Sequence, residues 1–414
     1  MKLAKNTKMK IEIDTVKGFQ DILPPESLKR KAVQEVIEKY YKLYGFLPVE
    51  TPIVEFDELM KPDTLEENPD EAVSDRFKLK DRAGRNLGLR YEFTFQLARI
   101  FKQNPNIKLP FRRYQIGPNF RDEPIGPGRF RQFTQCDADI IGDSSMEADA
   151  ECLAMISDIL KELQIEAEIE VNNRKLLNSI IESVQVEGKN IKNVMREIDK
   201  IGKLDEDAIK ANLRKYADAN QIITLFRLLD KPLSFFVENA FDGAEEMRKL
   251  EEICKKYSIN IKFNPYLARG LSYYTGNIFE IKSQNATIGA GGRYDKVVGK
   301  YLEKEIPAVG ISFGLERVTQ LASIKAEGIK VIVISIEQEK NAIALARKLR
   351  KENIPTLLST DKPGKSLEYA NAYSIPFVVF IGKEEAEQKK FKLKDLASGE
   401  EKMLTDKQLI KSLN

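Results

Sequence analysis

The stretch FRRYQIGPNFRDEPIGPGRFRQFTQCDADIIG, residues 111–142, predicts an antiparallel hairpin. Two extended segments, 111–123 and 129–142, flank the loop PIGPG, whose prolines and glycines are typical of turns. Side chains alternate between the faces of a strand, so pairing Glu123 with Arg129 places the odd-numbered residues of both strands on one face. That face carries Arg121, Glu123, Arg129, Arg131, Gln135, Asp137 and Asp139. So much charge on one face favours a binding site, and the alternative is a solvated face with mutual salt bridges.

The composition fits a globular enzyme of two or three domains. The chain has 414 residues, of which 42% are hydrophobic and 32% charged, with a net charge of +3. A charge this small does not hold nucleic acid by itself, so any RNA contact requires basic residues that are grouped locally.

The chain contains no histidine. This excludes Ser-His-Asp and Cys-His triads and any metal centre that uses imidazole ligands. A general acid or base must therefore be a carboxylate, Lys, Tyr, Cys, water or the substrate, and catalysis by fixed arginine charges is the natural alternative.

The cysteine pattern and the absence of long apolar runs predict a cytoplasmic protein. Cys136, Cys152 and Cys254 are far apart and form no CxxC pair, which argues against a disulfide framework or a thiolate zinc site. No apolar segment follows the basic N-terminus and no run approaches 18 apolar residues, so we expect neither a signal peptide nor a membrane span.

The periodicity of the chain predicts two domains, 1–325 and 326–414. The segment VETPIVEFDEL reads as a short strand that Pro52 confines to an edge or an interface. From about 174 to 257 the pattern is helical almost throughout, which indicates an insertion between strand-rich regions. After 326, strands and helices alternate as in a small α/β domain with a mostly parallel sheet.

Several of these stretches resemble the histidyl-tRNA synthetase family of class II aminoacyl-tRNA synthetases. The hairpin resembles motif 2, VETPIVEF motif 1, PAVGISFGLERV motif 3, and LRYEFTFQLAR the strand that binds the amino acid. LARGLSYYTGNIFE and GAGGRYDKVVG resemble the two histidine-specific motifs, and this pair narrows the resemblance from the class to the family. The resemblance extends over essentially the full length.

This resemblance implies a fold and a reaction. The fold is an α+β class II catalytic domain, an antiparallel sheet with flanking helices and a helical insertion, followed by a C-terminal α/β anticodon-binding domain. The reaction is ATP-dependent histidine–tRNA ligation, in which histidine is activated to histidyl-adenylate with release of pyrophosphate and transferred to the 3′ end of tRNA(His).

By resemblance, three arginines take part in the reaction, two of them on the phosphates. Arg121 contacts the α-phosphate of ATP, Arg317 holds the γ-phosphate, and Glu123 lies near the adenine amino group. Arg269 takes a catalytic place that a metal ion fills in other class II enzymes, and a guanidinium can hold carboxylate or phosphate oxygens there without losing its proton. Ser272 stands where the family often has Asp, so this position carries no carboxylate in this chain.

The resemblance places the substrate histidine among carboxylates and phenols. Glu92, Thr94 and Gln135 are expected on its ammonium group, and Asp139 and Tyr274 on its imidazole nitrogens. Tyr273 and Tyr294 are assigned to the same pocket. If the segment LSYYTGNIFEIKS is a strand, one of Tyr273 and Tyr274 must point away from the site.

Further implications concern partners and alternatives. The resemblance implies Mg²⁺ with ATP, no metal site in the protein, and a homodimer built through motif 1. The basic residues Arg347, Lys348, Arg350 and Lys351 could contact tRNA phosphates, although such a run is more often a solvated helix face. The alternatives are a catalytically inactive, synthetase-like regulatory subunit that senses histidine, and a synthetase for threonine, proline or glycine.

Overall fold

The computed structural model describes residues 13–60, 75–126, 128–201, 204–268, 273–284, 286–326 and 328–414. These residues form two compact units. The described residues up to Asp21 and Val33–Ile324 make the first unit, and Ile22–Ala32 with Lys325–Asn414 make the second. In the described part of the chain, no helix has both the length and the apolar character needed to cross a membrane.

A large, mostly antiparallel sheet forms the centre of the first unit. The strands that precede residue 325 are β1 (Leu47–Pro48), β2 (Val54–Phe56), β3 (Lys78–Lys80), β4 (Asn86–Leu89), β5 (Phe111–Phe120), β6 (Gln132–Ile141), β7 (Glu168–Asn173), β8 (Lys262–Phe263), β9 (Asn277–Ser283), β10 (Ala286–Arg293) and β11 (Ala308–Gly314). Eight of them pair in the order β1-β5-β6-β11-β10-β9-β7-β8, and only the outermost pair at each end is parallel. This sheet confirms the antiparallel catalytic fold predicted from the sequence.

The helices before residue 325 pack partly on this sheet and partly on one another. They are α1 (Glu26–Leu43), α2 (Phe95–Gln103), α3 (Met146–Glu162), α4 (Arg174–Ser183), α5 (Ile191–Ile198), α6 (Glu206–Leu213), α7 (Ala219–Leu229), α8 (Leu233–Glu238), α9 (Ala244–Lys256) and α10 (Leu315–Leu321). The apolar face of α3 is buried, and α9 packs against the same helix. Six helices, α4 to α9, occupy the region in which the sequence predicts helix almost throughout.

The hairpin of β5 and β6 has the predicted register. Gly117 lies opposite Gln135, and the amide of Arg121 donates to the carbonyl of Arg131 at 2.9 Å. The odd-numbered residues of the two strands therefore share a face, as the alternation of side chains requires.

The ladder stops earlier than predicted, and the expected pairing of Glu123 with Arg129 is wrong. The amide of Asp122 donates to the carbonyl of Asp75 at 2.9 Å, which draws the chain away from the hairpin partner. The proline that follows Glu123 has no amide hydrogen with which to continue the ladder. Beyond that point Arg129 pairs with Gly126.

The segment that resembles motif 1 lies at the edge of a small second sheet, as predicted. This sheet has the strand order β2-β4-β3, so β2 has one unpaired side among the described strands. Ile53, Val54 and Phe56 are 44–51% exposed there, and Leu79 on β3 is 41% exposed.

The second unit is an α/β domain. Its strands are β12 (Val331–Ser335), β13 (Thr356–Ser359), β14 (Phe377–Ile381), β15 (Lys390–Asp395) and β16 (Glu401–Thr405), and its helices are α11 (Glu339–Lys351), α12 (Pro363–Ala372), α13 (Lys383–Gln388) and α14 (Asp406–Leu413). The sheet order is β13-β12-β14-β15-β16. The first three strands are parallel, as expected, and β15 and β16 add an antiparallel pair.

Candidate active site

A cavity of about 430 Å³ lies on the sheet face formed by β6, β11 and β10. Ten of the eleven predicted site residues line it: Glu92, Thr94, Arg121, Glu123, Gln135, Asp139, Tyr273, Tyr274, Tyr294 and Arg317. The eleventh, Arg269, lies outside the residues that the structure describes, as does Ser272.

The floor of the cavity is built from alternate residues of two paired strands. Gln135, Asp137 and Asp139 project from β6, and the register places Ser312 opposite Asp137 and Gly310 opposite Asp139. Ser312 Oγ donates to Asp137 Oδ1 at 2.5 Å and accepts from Gln135 Nε2 at 3.0 Å. A Cβ atom at position 310 would overlap the Asp139 carboxylate, so glycine provides the space that this carboxylate occupies.

The strand geometry separates two ends of this floor. Gln135 and Asp139 are four residues apart, which corresponds to roughly 13 Å along a strand. Helix α10, with Arg317, begins beside Gln135, because Gln135 pairs with the residue before Leu315. Arg121 extends from β5 beyond the same end of the hairpin. The arginines therefore lie at one end of the cavity and Asp139 at the other.

Aromatic rings hold Arg121 in place. Its guanidinium lies 4.2 Å from the centroid of the Tyr91 ring and 5.0 Å from that of Phe133. Its Nε donates to the carbonyl of Tyr91 at 3.4 Å, and Nη1 is 4.0 Å from Glu123 Oε1. Stacking fixes the plane of the guanidinium while leaving donor atoms available for a ligand.

Helix α10 supplies the second arginine. Arg317 Nη1 donates to the carbonyl of Thr287 on β10 at 2.5 Å. The neighbouring Glu316 accepts from the amide of Thr134 at 2.9 and 3.1 Å, which ties the start of the helix to β6. Arg129 of the hairpin loop lines the same end of the cavity.

Glu92 is a buried carboxylate at the start of α2. It accepts from the amides of Thr94 at 3.1 Å and Phe95 at 2.7 Å, and Tyr273 Oη donates to it at 3.4 Å. Burial raises the pKa of Glu92, and the hydrogen bond from the Phe95 amide opposes this shift. An ammonium group bound beside Glu92 would stabilise its charged form.

Both Tyr273 and Tyr274 line the cavity, so the expectation that one of them points away is wrong. Strand β9 begins only at Asn277, and the alternation of side chains does not apply to the irregular chain before it. The two rings are 4.9 Å apart, and Tyr273 also contacts Tyr294 edge-to-face at 5.9 Å. The Tyr274 ring lies against Gly292, whose φ of +155° strongly favours glycine.

Asp139 is enclosed by two partners. Tyr294 Oη donates to its Oδ1, and Arg113 Nη2 forms an ion pair with its Oδ2 at 2.7 Å. Burial raises the pKa of Asp139, and the charge of Arg113 counters that shift. Burial likewise raises the pKa of Asp137 to about 7, because the Ser312 hydrogen bond and Arg113 only partly offset the loss of hydration.

Arg113 and Asp199 are among the residues near the cavity that received no role in the sequence analysis. Arg113 could have been found, because the predicted register already places it opposite Asp139. Asp199, which follows α5 and lines the cavity, could not, because no local pattern distinguishes it from other acidic residues of the helical region.

An antiparallel sheet that presents arginines at one end of a cavity and carboxylates with phenols at the other is the catalytic architecture of a class II aminoacyl-tRNA synthetase. Comparison with known proteins agrees. Residues 18–318 match the profile described as histidyl-tRNA synthetase, and residues 329–414 match that of an anticodon binding domain. The chain is 35% identical over 415 residues to histidine–tRNA ligase 1 of Bacillus cereus. The alignment covers 94% of this chain and 95% of the relative. The chain therefore belongs to the histidyl-tRNA synthetase family.

Solved structures show the same fold. The crystal structure of histidyl-tRNA synthetase from Nostoc sp. PCC 7120 matches with a TM-score of 0.86 at 27% identity, over 98% of this chain and 99% of that one. An ATP phosphoribosyltransferase regulatory subunit/histidyl-tRNA synthetase from Bacillus halodurans C matches with a TM-score of 0.74 at 21% identity, over 90% and 99%. The second likeness concerns the fold alone.

Proposed function

We propose that the cavity is where this enzyme activates histidine with ATP and then transfers it to the 3′ end of tRNA(His). The catalytic part corresponds to residues 1–325, with the helical insertion at about 174–257, and the anticodon-binding part to residues 326–414. The observation that carries this proposal is that ten residues, chosen from separate motifs of the sequence, line one cavity.

In the activation step, a histidine carboxylate oxygen attacks the α-phosphorus of ATP. A new P–O bond forms, the bond to the bridging oxygen of the β-phosphate breaks, and pyrophosphate leaves. Arg121 neutralises charge on the α-phosphate, Arg317 holds the γ-phosphate, and Glu123 accepts from the adenine amino group. Fixed cations that face charge as it develops lower the barrier without reorganising. The catalytic role of Arg269 stays a prediction from the sequence, because this residue lies outside the residues that the structure describes.

Histidine lies along the floor of the cavity, between Gln135 and Asp139 on β6. Glu92, Thr94 and Gln135 receive the ammonium group, while Asp139 and Tyr274 contact the imidazole, with Tyr273 and Tyr294 enclosing it. The strand is roughly 13 Å long from Gln135 to Asp139, which gives room for the amino acid, and the phosphates lie beyond Gln135, where Arg121 and Arg317 are. In the transfer step, the terminal hydroxyl of tRNA attacks the histidyl carbonyl and AMP leaves.

Magnesium is proposed as the ion that accompanies ATP. Among the described residues, no group of three or more Asp, Glu, Cys or His side chains could hold a metal. Mg²⁺ on a nucleotide is usually held mainly by phosphate oxygens and water.

For tRNA we propose contacts with the second unit. On α11, Lys348 is paired with Asp406 at 2.5 Å and Arg350 donates to the carbonyl of Thr356 at 3.0 Å. Arg347 and Lys351 are exposed on the same helix and suit phosphate contacts.

A homodimer and a cytoplasmic location complete the proposal. The exposed apolar side chains Ile53, Val54 and Phe56 on the edge strand β2 suit a two-fold interface. Cys136, Cys152 and Cys254 are buried as free thiols, which fits a reducing compartment. Light scattering after size-exclusion chromatography measures the oligomeric state, and a monomer at micromolar concentration would contradict the interface.

Pyrophosphate exchange with each of the twenty amino acids tests the reaction. We expect exchange with histidine alone, abolished in Arg269→Ala. Arg248→Ala is the matched control, because Arg248 is a partly exposed arginine on α9 whose ion-pair partners, among the described residues, are Glu245 and Glu252 on the same helix. Exchange driven by threonine, proline or glycine would overturn the substrate. The absence of exchange with any amino acid would favour the regulatory subunit, which the family profiles and the retained arginines Arg121 and Arg317 disfavour.

A further inference from the structure

Arg113 is a completely buried arginine behind the histidine end of the cavity. It lies on β5 opposite Asp139, its relative exposure is 0%, and Nη2 is 2.7 Å from Asp139 Oδ2. Its Nη2 also donates to the carbonyl of Phe93 at 3.4 Å, and among the described residues its Nε and Nη1 have no hydrogen-bond partner. Burying a guanidinium with so few partners is costly, and an apolar residue would fill the position at lower cost.

We propose that Arg113 is a positioning residue for substrate recognition, which keeps Asp139 ionised and oriented so that it accepts a hydrogen bond from the imidazole N–H of histidine. This inference rests on the function proposed for the cavity, and it names Arg113 as one cause of the cavity's specificity for histidine. Arg113 does not line the cavity, so it acts through Asp139 rather than on the substrate.

The surroundings of Asp139 explain why a cation is needed. Its own strand contributes Asp137, and the segment after β10 contributes Tyr294, which donates to Oδ1. Tyr41 of α1 and Cys152 of α3 also interact with Asp139 electrostatically. On β11 the facing residue is the uncharged Gly310. Within this set Arg113 is the single cation, while Asp137 and Asp139 repel each other when both are charged.

Without Arg113, burial and the neighbouring Asp137 would drive Asp139 to bind a proton. A protonated carboxyl has one oxygen fewer to offer as an acceptor and presents a competing donor to the ring. Histidine binding would then require a higher pH. Removing an opposite charge at contact distance from a carboxylate typically shifts its pKa upward by about 1–3 units.

Calorimetric titration of the full chain with L-histidine between pH 5.5 and 8.5 tests the proposal, in wild type, Arg113→Met, Arg113→Lys and Asp139→Asn. On acidification, histidine affinity is lost at a certain pH, which we call the acid limb of the affinity profile. For Arg113→Met we expect this pH to be higher than in wild type by about 1–3 units. Affinity at pH 7 falls about tenfold or more, while Arg113→Lys keeps the limb near its wild-type position. The KM for ATP in pyrophosphate exchange stays within about twofold, which separates loss of the histidine site from general damage.

Arg112→Met is the matched control. Arg112 precedes Arg113 on β5 but pairs with Glu151 at 2.6 Å on the opposite face, so its loss should leave the profile unchanged. The imidazole of the ligand also titrates in this range. Because the ligand is the same for all variants, its own titration contributes equally to each profile, and a difference between variants must come from the protein.

Each outcome is decisive. Wild-type protein that does not bind histidine would overturn the proposed function and this inference with it. Histidine binding with an unshifted acid limb in Arg113→Met would overturn the inference alone. If Arg113→Met does not fold, the double variant Arg113→Met/Asp139→Asn removes both buried charges, and we expect its affinity to equal that of Asp139→Asn within about twofold. A larger difference would mean that Arg113 acts by another route and would overturn the proposal.

Discussion

Replacing Gly310 by alanine tests whether the histidine end of the cavity depends on the space above β11. A methyl group at this position would overlap Asp139 Oδ1 and lie 3.2 Å from Cε1 of Tyr294. The strand backbone cannot retreat, because it is paired on both sides with β6 and β10. The carboxylate must therefore move away from the position in which it faces the substrate.

The size of the effect follows from the contact that is lost. A hydrogen bond that involves a charged group contributes about 1.5–3 kcal/mol. At about 1.4 kcal/mol per factor of ten, losing this bond raises the KM for histidine roughly 10- to 150-fold. Crowding in the packed site adds a stability loss of about 1–3 kcal/mol, which urea unfolding measures separately.

The assay is pyrophosphate exchange with histidine and ATP varied independently. Gly188→Ala is the matched control, because this exposed glycine does not line the cavity and a Cβ there would have no atom within 4 Å. We expect its KM for histidine to stay within about twofold of wild type. An unchanged KM for histidine in a folded Gly310→Ala protein would refute the placement of Asp139 against the substrate ring.

Three further predictions concern the phosphate end, the core and the pH dependence. Arg121→Ala and Arg317→Ala should each lower kcat for exchange by about 10²–10³-fold with an unchanged melting temperature, since each removes a fixed charge from the transition state. Arg293→Met should lower the free energy of unfolding by about 3–5 kcal/mol in urea titrations, because it leaves the fully buried Asp149 without the ion pair that neutralises it. The pKa of Asp137 is about 7 in the folded chain, above the ordinary aspartate value near 4, so its contribution to stability is complete below about pH 4 and is lost as pH rises through about 7. Asp137→Asn should remove this part of the pH dependence, and parallel stability profiles for the two proteins would contradict the assignment.

Local patterns in the sequence were sufficient for the hairpin. The alternation of side chains and the position of the loop predicted the register of β5 and β6 and the shared face of Arg121, Gln135 and Asp139, because both depend only on residues close in the chain. The same rule failed at Tyr273 and Tyr274, where the chain is irregular.

Burial could not be predicted in the same way. The register alone places Arg113 opposite Asp139, but its complete burial depends on distant segments, including the one that contributes the Phe93 carbonyl. The position of Asp199 at the cavity likewise depends on where the helical region packs. Such tertiary contacts leave no periodic trace in the sequence.

The absence of histidine from the chain gives the recognition step an unusual property. No side chain of the protein carries an imidazole, so every imidazole signal from a complex with ring-¹⁵N-labelled histidine belongs to the substrate. In that spectrum a neutral ring and a doubly protonated ring differ in their nitrogen shifts, because their nitrogens carry different numbers of protons. If Asp139 is ionised beside the ring, it stabilises the N–H that faces it and raises the pKa of the bound imidazole above that of free histidine. If the pKa of the bound imidazole is equal to or below that of free histidine, no charged carboxylate contacts the ring. The pocket would then recognise histidine by shape and the tyrosine hydroxyls alone.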